Sequence, residues 1–257
     1  MMTSQNSART YDPLNIIMVS YMRPNDLMGS INSIVTNTDL PYRLTIIDNS
    51  CGAVDFVLDK FYHHPNIHII FNPSNYGKAK SFNMYLDTIL IGDTNHSFVS
   101  IDGDIEVPKG WLSRLLDDRD KLTDQFGMLA PYYVDNFNEL PKIDGTLKVH
   151  QKMNFRHFVD NIYYNKRLGG GLLLINKAFY NSVGGYDGDI LYGGDDGKLC
   201  RAASERNLFI GLTTSVSVRH LRNDETIDYR LWKKSAINNK KITSGYWDLN
   251  NCDDNKS

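Results

Sequence analysis

The chain has 257 residues, 41% of them hydrophobic and 11% aromatic, enough to bury one sizeable core and too apolar for a disordered segment. Its formal net charge of −2 does not by itself call for a nucleic acid or a membrane surface, and three cysteines without metal-type spacing make no cysteine zinc site. No stretch approaches the roughly 18 uninterrupted apolar residues of a membrane-spanning helix, and the polar extension over residues 1–13 has no apolar signal core, so a cytoplasmic protein with no transmembrane segment is expected.

From residue 14 to 131, short apolar runs alternate with segments of helical periodicity. The runs cover 16–19, 44–47, 67–71, 98–101 and 128–130, and between them 26–35, 54–62, 78–90 and 111–122 repeat apolar residues every three or four positions. Strand, helix, strand repeated in this way predicts an α/β fold, a central mostly parallel sheet flanked by helices. Such sheets bind ligands beyond the carboxyl ends of their strands. Four polar clusters fall there: Ser20-Tyr21-Met22-Arg23, Asp48-Asn49-Ser50, the stretch from Asn72 through Asn75 to Gly77, and Asp102-Gly103-Asp104. Ser20 to Asp26 holds no glycine, which excludes the G-x-G-x-x-G dinucleotide turn, and the P-loop pattern is absent.

Residues 132–167 are aromatic and basic without clear periodicity and read as a long excursion. Gly169-Gly170-Gly171 then leads into an apolar strand over 172–175, a place where something approaches the backbone closely. A helix is expected over 176–183. After Gly184-Gly185, the run Tyr192-Gly193-Gly194-Asp195-Asp196 opens another helix through Arg206, followed by strands near 209–212 and 216–219. Residues 242–257 read as a weakly ordered tail. The acids are 26 Asp and 4 Glu, and many Asp stand at the ends of apolar runs, on loops where sites are built.

Asp102 and Asp104, one residue apart at a strand end, can face one hard divalent cation such as Mg²⁺ or Mn²⁺; the plainer alternative is an Asp-Gly turn. Asp195-Asp196 at a helix start is either a capping pair or a carboxylate held at a cleft as general base. His220, after the strand over 216–218, is a candidate metal partner or a satisfied histidine.

In their order and spacing these parts resemble the inverting GT-A fold glycosyltransferases, family 2-like nucleotide-diphospho-sugar transferases, over about residues 14 to 222. Val19 to Pro24 is similar to that family's first-strand signature, Ile46-Ile47-Asp48-Asn49-Ser50 to its second-strand carboxylate motif, and Asn75 to Asn83 to its Asn-x-Gly stretch. Val183-Gly184-Gly185-Tyr186-Asp187 followed by Gly194-Asp195-Asp196 resembles its Gly-Gly-Phe-Asp and Glu-Asp motifs.

The resemblance implies a nucleotide-sugar-binding half over 14–131, an acceptor-binding and catalytic half over 132–241 with a smaller acceptor-side sheet, and hexosyl or pentosyl transfer that inverts the anomeric centre. It implies Mn²⁺ or Mg²⁺ on Asp104, Asp102 and His220. Asp196 would be the general base, with Asp195 beside it as the other candidate. Ser20, Tyr21, Arg23, Asp48, Asn75, Gly77, Lys80, Asp102, Gly103 and Gly170 would line a nucleotide-diphospho-sugar, a UDP-sugar by the family's weight.

The hydroxyl acceptor is a glycan or glycoside on this reading. The segments 142–167 and 219–241 each carry a charge of +4. Within them Phe155, Phe158, Tyr163, Tyr164, Tyr229 and Trp232 interleave with Lys and Arg over 148–167 and 219–241, which leaves a hydroxylated base in DNA as an alternative acceptor. A sugar-nucleotide-binding domain without turnover is the other alternative.

Overall fold

The structure is a computed structural model that describes residues 12–122, 126–134, 137, 146–148, 154–188, 195–224 and 231. The expected tail, Tyr192 to Gly194, and most of 219–241 with Tyr229 and Trp232 lie outside the described residues.

In chain order the elements are β1 (Leu14–Ser20), α1 (Pro24–Asn37), β2 (Tyr42–Asp48), α2 (Asp55–Leu58), β3 (Ile67–Phe71), α3 (Gly77–Ile89), β4 (Ser97–Asp102), β5 (Ile105–Glu106), α4 (Trp111–Asp120), β6 (Phe126–Val134), β7 (Thr146–Lys148), β8 (Asn154–Val159), β9 (Ile162–Tyr164), β10 (Leu172–Asn176), α5 (Lys177–Ser182), α6 (Asp195–Glu205) and β11 (Phe209–His220). The strands form one sheet in the order β3-β2-β1-β4-β10-β6-β11-β9-β8-β7, with β5 paired to the end of β11.

The central strands read as unbroken apolar runs because both faces of the sheet are covered. Along β1, Leu14, Ile16 and Met18 enter the core beneath α1 and α4, while Ile17 enters the core beneath α3, α5 and α6. Each such side chain contributes about 1.5–3 kcal/mol by leaving water, so the register of β1 is fixed from both sides. Trp111, fully buried, opens α4 and donates its indole N–H to Thr38 Oγ1 at 3.0 Å.

The first half of the chain follows the expected pattern, with β3, β2, β1 and β4 parallel. The second half departs from it in three ways. β10 runs antiparallel between β4 and β6, so it starts at the edge where its neighbours end. The two strands expected near 209 and 216 are one strand, β11, whose pairing with β6 shifts between Thr213 and Ser217. The excursion contains β7, β8 and β9, which extend the same sheet through antiparallel pairing of β9 with β11. Strands of three residues are too short to show a period, which is why 132–167 reads as irregular.

Candidate active site

The turn after β1 is built around strained backbone. Met22 and Arg23 both adopt left-handed φ, 55° and 58°, unusual for non-glycine residues. Such a conformation persists only where the surroundings over-determine it. Here Met22 N–H donates to Ser50 Oγ at 2.7 Å, and the Arg23 guanidinium is held on three sides. It donates to Asp104 Oδ2, to Asp26 Oδ2 at 2.5 Å, and to the Leu221 carbonyl at 2.9 Å. Pro24 then starts α1, where its missing N–H is not needed.

At the end of β2, Asp48 is buried against the neighbouring strand end. Its carboxylate accepts from Ser20 Oγ at 2.8 Å and from Ser50 N–H at 3.1 Å. Burial raises its pKa above the ordinary carboxylate value, against the lowering effect of those hydrogen bonds. Behind it, Asn49, Asn72, Ser81 and Tyr85 form a closed polar network that ties the loops after β2 and β3 to α3. Asn75 accepts from Gly77 N–H at 2.9 Å, and Gly77, at φ 75°, opens α3.

The turn between β4 and β5 carries the two carboxylates. Gly103 keeps it close to β1: a Cβ there would lie 3.7 Å from Ser20 Cβ and 3.4 Å from Leu27 Cδ1. Asp102 Oδ1 accepts from Lys78 Nζ at 2.6 Å, and the same ammonium donates to the Gly170 carbonyl at 2.8 Å. Asp104 Oδ2 is met from one side by Arg23 and from the other by His220 Nε2 at 3.0 Å. His220 reaches that point because β11 pairs with β5, His220 opposite Ile105. Its pKa is raised, first by the hydrogen bond to Asp104 and then by the charges of Asp104 and Asp102, with burial and Arg23 opposing.

Across from this turn lies the start of α6. A Cβ on Gly170 would come within 3.3 Å of Asp196 Cβ and 3.4 Å of its Oδ2, so the glycine admits the helix to the sheet edge. Leu168 N–H donates to Cys200 Sγ at 3.4 Å and holds the same approach from below; burial pushes that thiol up to about 11. Asp195 is the first residue of α6. Asn83 pins the turn before it, its Oδ1 accepting from Tyr180 OH at 2.7 Å and Tyr186 N–H at 3.1 Å.

Ser20, Arg23, Asp48, Asp102, Gly103, Asp104, Gly170, Asp196 and His220 therefore stand along one sheet edge, with Tyr21 in the turn after β1 and Asn75 and Gly77 at the start of α3. Lys80 does not join the carboxylates: it is exposed, its ammonium 5.1 Å from the Tyr76 ring centroid. The lysine that reaches the carboxylates is Lys78. At about 100° per residue the two lysines face opposite sides of α3. Asp26, buried on α1 and bonded to Arg23, has no motif that marks it in the sequence.

Among the described residues no three His, Cys, Asp or Glu side chains stand grouped as a metal cluster. The donor chemistry nevertheless fits a hard divalent cation, since Asp102, Asp104 and His220 offer carboxylate oxygen and imidazole nitrogen at one turn. In the structure Asp104 is paired with Arg23 and His220, and Asp102 with Lys78.

The sequence matches the family described as Glycosyl transferase family 2 over residues 15–176. No curated protein matches it by sequence. Among solved structures, it is similar to GalNAc-T7 crystallised with UDP, GalNAc and Mn²⁺, with a TM-score of 0.66 and 15% identity over 81% of this chain and 44% of that one. It is also similar to the mannosyltransferase PcManGT from Pyrobaculum calidifontis in complex with GDP-Man and Mn²⁺, with a TM-score of 0.61 and 16% identity over 88% of this chain and 62% of that one. The chain thus spans less than two thirds of each of these structures. Among the described residues no helix is long and apolar enough to cross a membrane.

Proposed function

Because the chain belongs to glycosyl transferase family 2 and has the GT-A fold, we propose that it moves a sugar from a nucleotide-diphospho-sugar to an acceptor hydroxyl with inversion, using a divalent cation and Asp196 as general base. The observation that carries this reading is the junction at Gly170. Its carbonyl accepts from Lys78, which holds Asp102, while a Cβ on it would come within 3.3 Å of Asp196 Cβ. On this reading a carboxylate for the leaving group and a carboxylate for the attacking group meet at one glycine.

On this reading Asp48 receives the nucleoside, and Asp102, Asp104 and His220 hold Mn²⁺ or Mg²⁺. The cation supplies Lewis-acid stabilisation of the charge on the departing diphosphate. Asp196 takes the proton of the acceptor hydroxyl as its oxygen bonds to the anomeric carbon. The bond from that carbon to the diphosphate breaks on the opposite face, and its electron pair leaves with the nucleoside diphosphate. Gly170, lacking a side chain, lets Asp196 approach the strand end that carries Asp102.

UDP is the donor nucleotide we favour, with a glycan or glycoside as acceptor. A hydroxylated base in DNA is the second reading, and the exposed Arg156, His157 and Phe158 on β8 favour it. Asp196→Asn tests the assignment of the base: transfer falls about 100-fold or more while the donor still binds. Undiminished transfer by the variant would move the base elsewhere. Metal-dependent nucleotide binding without transfer to any acceptor in wild type would mark a binding domain instead.

A further inference from the structure

The buried carboxylate of Asp26 lies outside the groups that would touch donor, cation or acceptor, yet it is fully buried and completely engaged. Its Oδ2 accepts from Arg23 Nη2 at 2.5 Å and from Asp224 N–H at 3.3 Å, and its Oδ1 accepts from Asn223 N–H at 2.9 Å. The arrangement is reciprocal. Asp224 Oδ2 accepts from Asn25 N–H at 2.7 Å and Asp26 N–H at 3.0 Å, and its Oδ1 accepts from Asn25 Nδ2 at 2.6 Å. Asp224 thus caps α1 from 198 residues away, while Asp26 caps the turn that follows His220.

Two further bonds join this clasp to the carboxylate turn. Arg23 donates to the Leu221 carbonyl at 2.9 Å, and Leu221 N–H donates to the Asp104 carbonyl at 2.7 Å. The Arg23 guanidinium is therefore divided between two carboxylates, Asp26 and Asp104. A planar fork shared in this way gives each partner its own directed bond and fixes the two carboxylates relative to one another.

We propose that Asp26 is a positioning residue for the divalent-cation site: by anchoring Arg23, which grips Asp104 with its other terminal nitrogen, and by clasping residues 221–224 to α1, it holds Asp104 and His220 together. This rests on the reading of Asp104 and His220 as cation ligands. Without the Asp26 charge the clasp loosens, and Arg23, Leu221 and with them Asp104 and His220 lose their fixed placement. The left-handed backbone at Arg23 accords with this, since the same bonds hold it.

The test is a titration with Mn²⁺ alone, followed by loss of the free-ion EPR signal, on wild type, Asp26→Asn and Asp224→Asn, each checked for folding by near-UV circular dichroism. Asp26→Asn keeps the shape and removes the charge; its Mn²⁺ affinity falls at least tenfold. With added donor and acceptor, its apparent KM for the donor rises at low Mn²⁺ and recovers as Mn²⁺ is raised, which a general loss of packing would not produce. Asp224→Asn, at a more accessible site, loses affinity severalfold and keeps the test available if Asp26→Asn does not fold. Unchanged Mn²⁺ affinity in a folded variant overturns the positioning role while leaving the cation reading intact. Wild type that takes up no Mn²⁺ overturns both.

Discussion

The buried Asp48 shows how a carboxylate is held at a cost. Its folded-state pKa lies above the unfolded value of 3.8, so the native state binds the proton more tightly. Stability is therefore lost as pH rises from the unfolded value through the folded one. Asp48→Asn removes this loss, because the Ser20 hydroxyl can turn to accept from the new amide while the carbonyl still accepts from Ser50 N–H. The variant is expected to melt at or above the wild-type temperature at pH 7, with the advantage shrinking as pH falls through the folded value toward about 4, and to bind nucleotide more weakly. Melting curves at the two pH values, with and without nucleotide, check both halves. Lys78 makes the complementary prediction. Lys78→Met frees Asp102 from its ammonium and weakens donor binding, whereas Lys80→Met, on the opposite face, leaves it within about twofold. The sequence held the information for this choice in the helical spacing, but it held no sign that Asp26 and Asp224 meet across the fold.

At the level of elements, the legible part is the half in which neighbours in sequence are neighbours in space. The apolar runs at 16–19, 44–47, 67–71 and 98–101 fall within β1, β2, β3 and β4, because strands covered on both faces cannot avoid being apolar. β10 and β11 were visible as strands, but their places in the sheet were not, since those are set by partners far away in sequence. The glycines test what these strands do. A Cβ on Gly211 would come within 2.3 Å of the Tyr163 carbonyl oxygen at the contact of β11 with β9. Gly211→Ala is therefore expected to destabilise by about 1–3 kcal/mol, by forcing the strands apart. Gly170→Ala meets first the Asp196 side chain, at 3.3 Å, and is expected to keep its stability while transfer falls about tenfold or more as the carboxylate is displaced. Urea unfolding paired with initial rates separates the two outcomes; equal loss of stability in both would mean that Gly170 serves packing alone.

Across the whole molecule, the sheet gathers one edge of strand ends from opposite halves of the chain. β1, β2 and β4 bring Ser20, Asp48 and Asp102; β10 starts at that edge with Gly170 just before it, and β11 ends there with His220. The sequence order of carboxylates and glycines was enough to suggest this edge, because parallel sheets place ligand sites at strand ends whatever their chemistry. The central claim, that this edge binds a nucleoside diphosphate through a divalent cation, is tested most directly by thermal unfolding with a panel of nucleoside diphosphates, each with and without Mn²⁺. A ligand at about 100 times its Kd adds roughly 2.7 kcal/mol, a rise of roughly 5–10 °C for a chain of this size. The account predicts such a rise for one nucleotide, UDP first, only when Mn²⁺ is present, and its loss in Asp104→Asn. A rise that needs no metal, or that survives unchanged in Asp104→Asn, would contradict it.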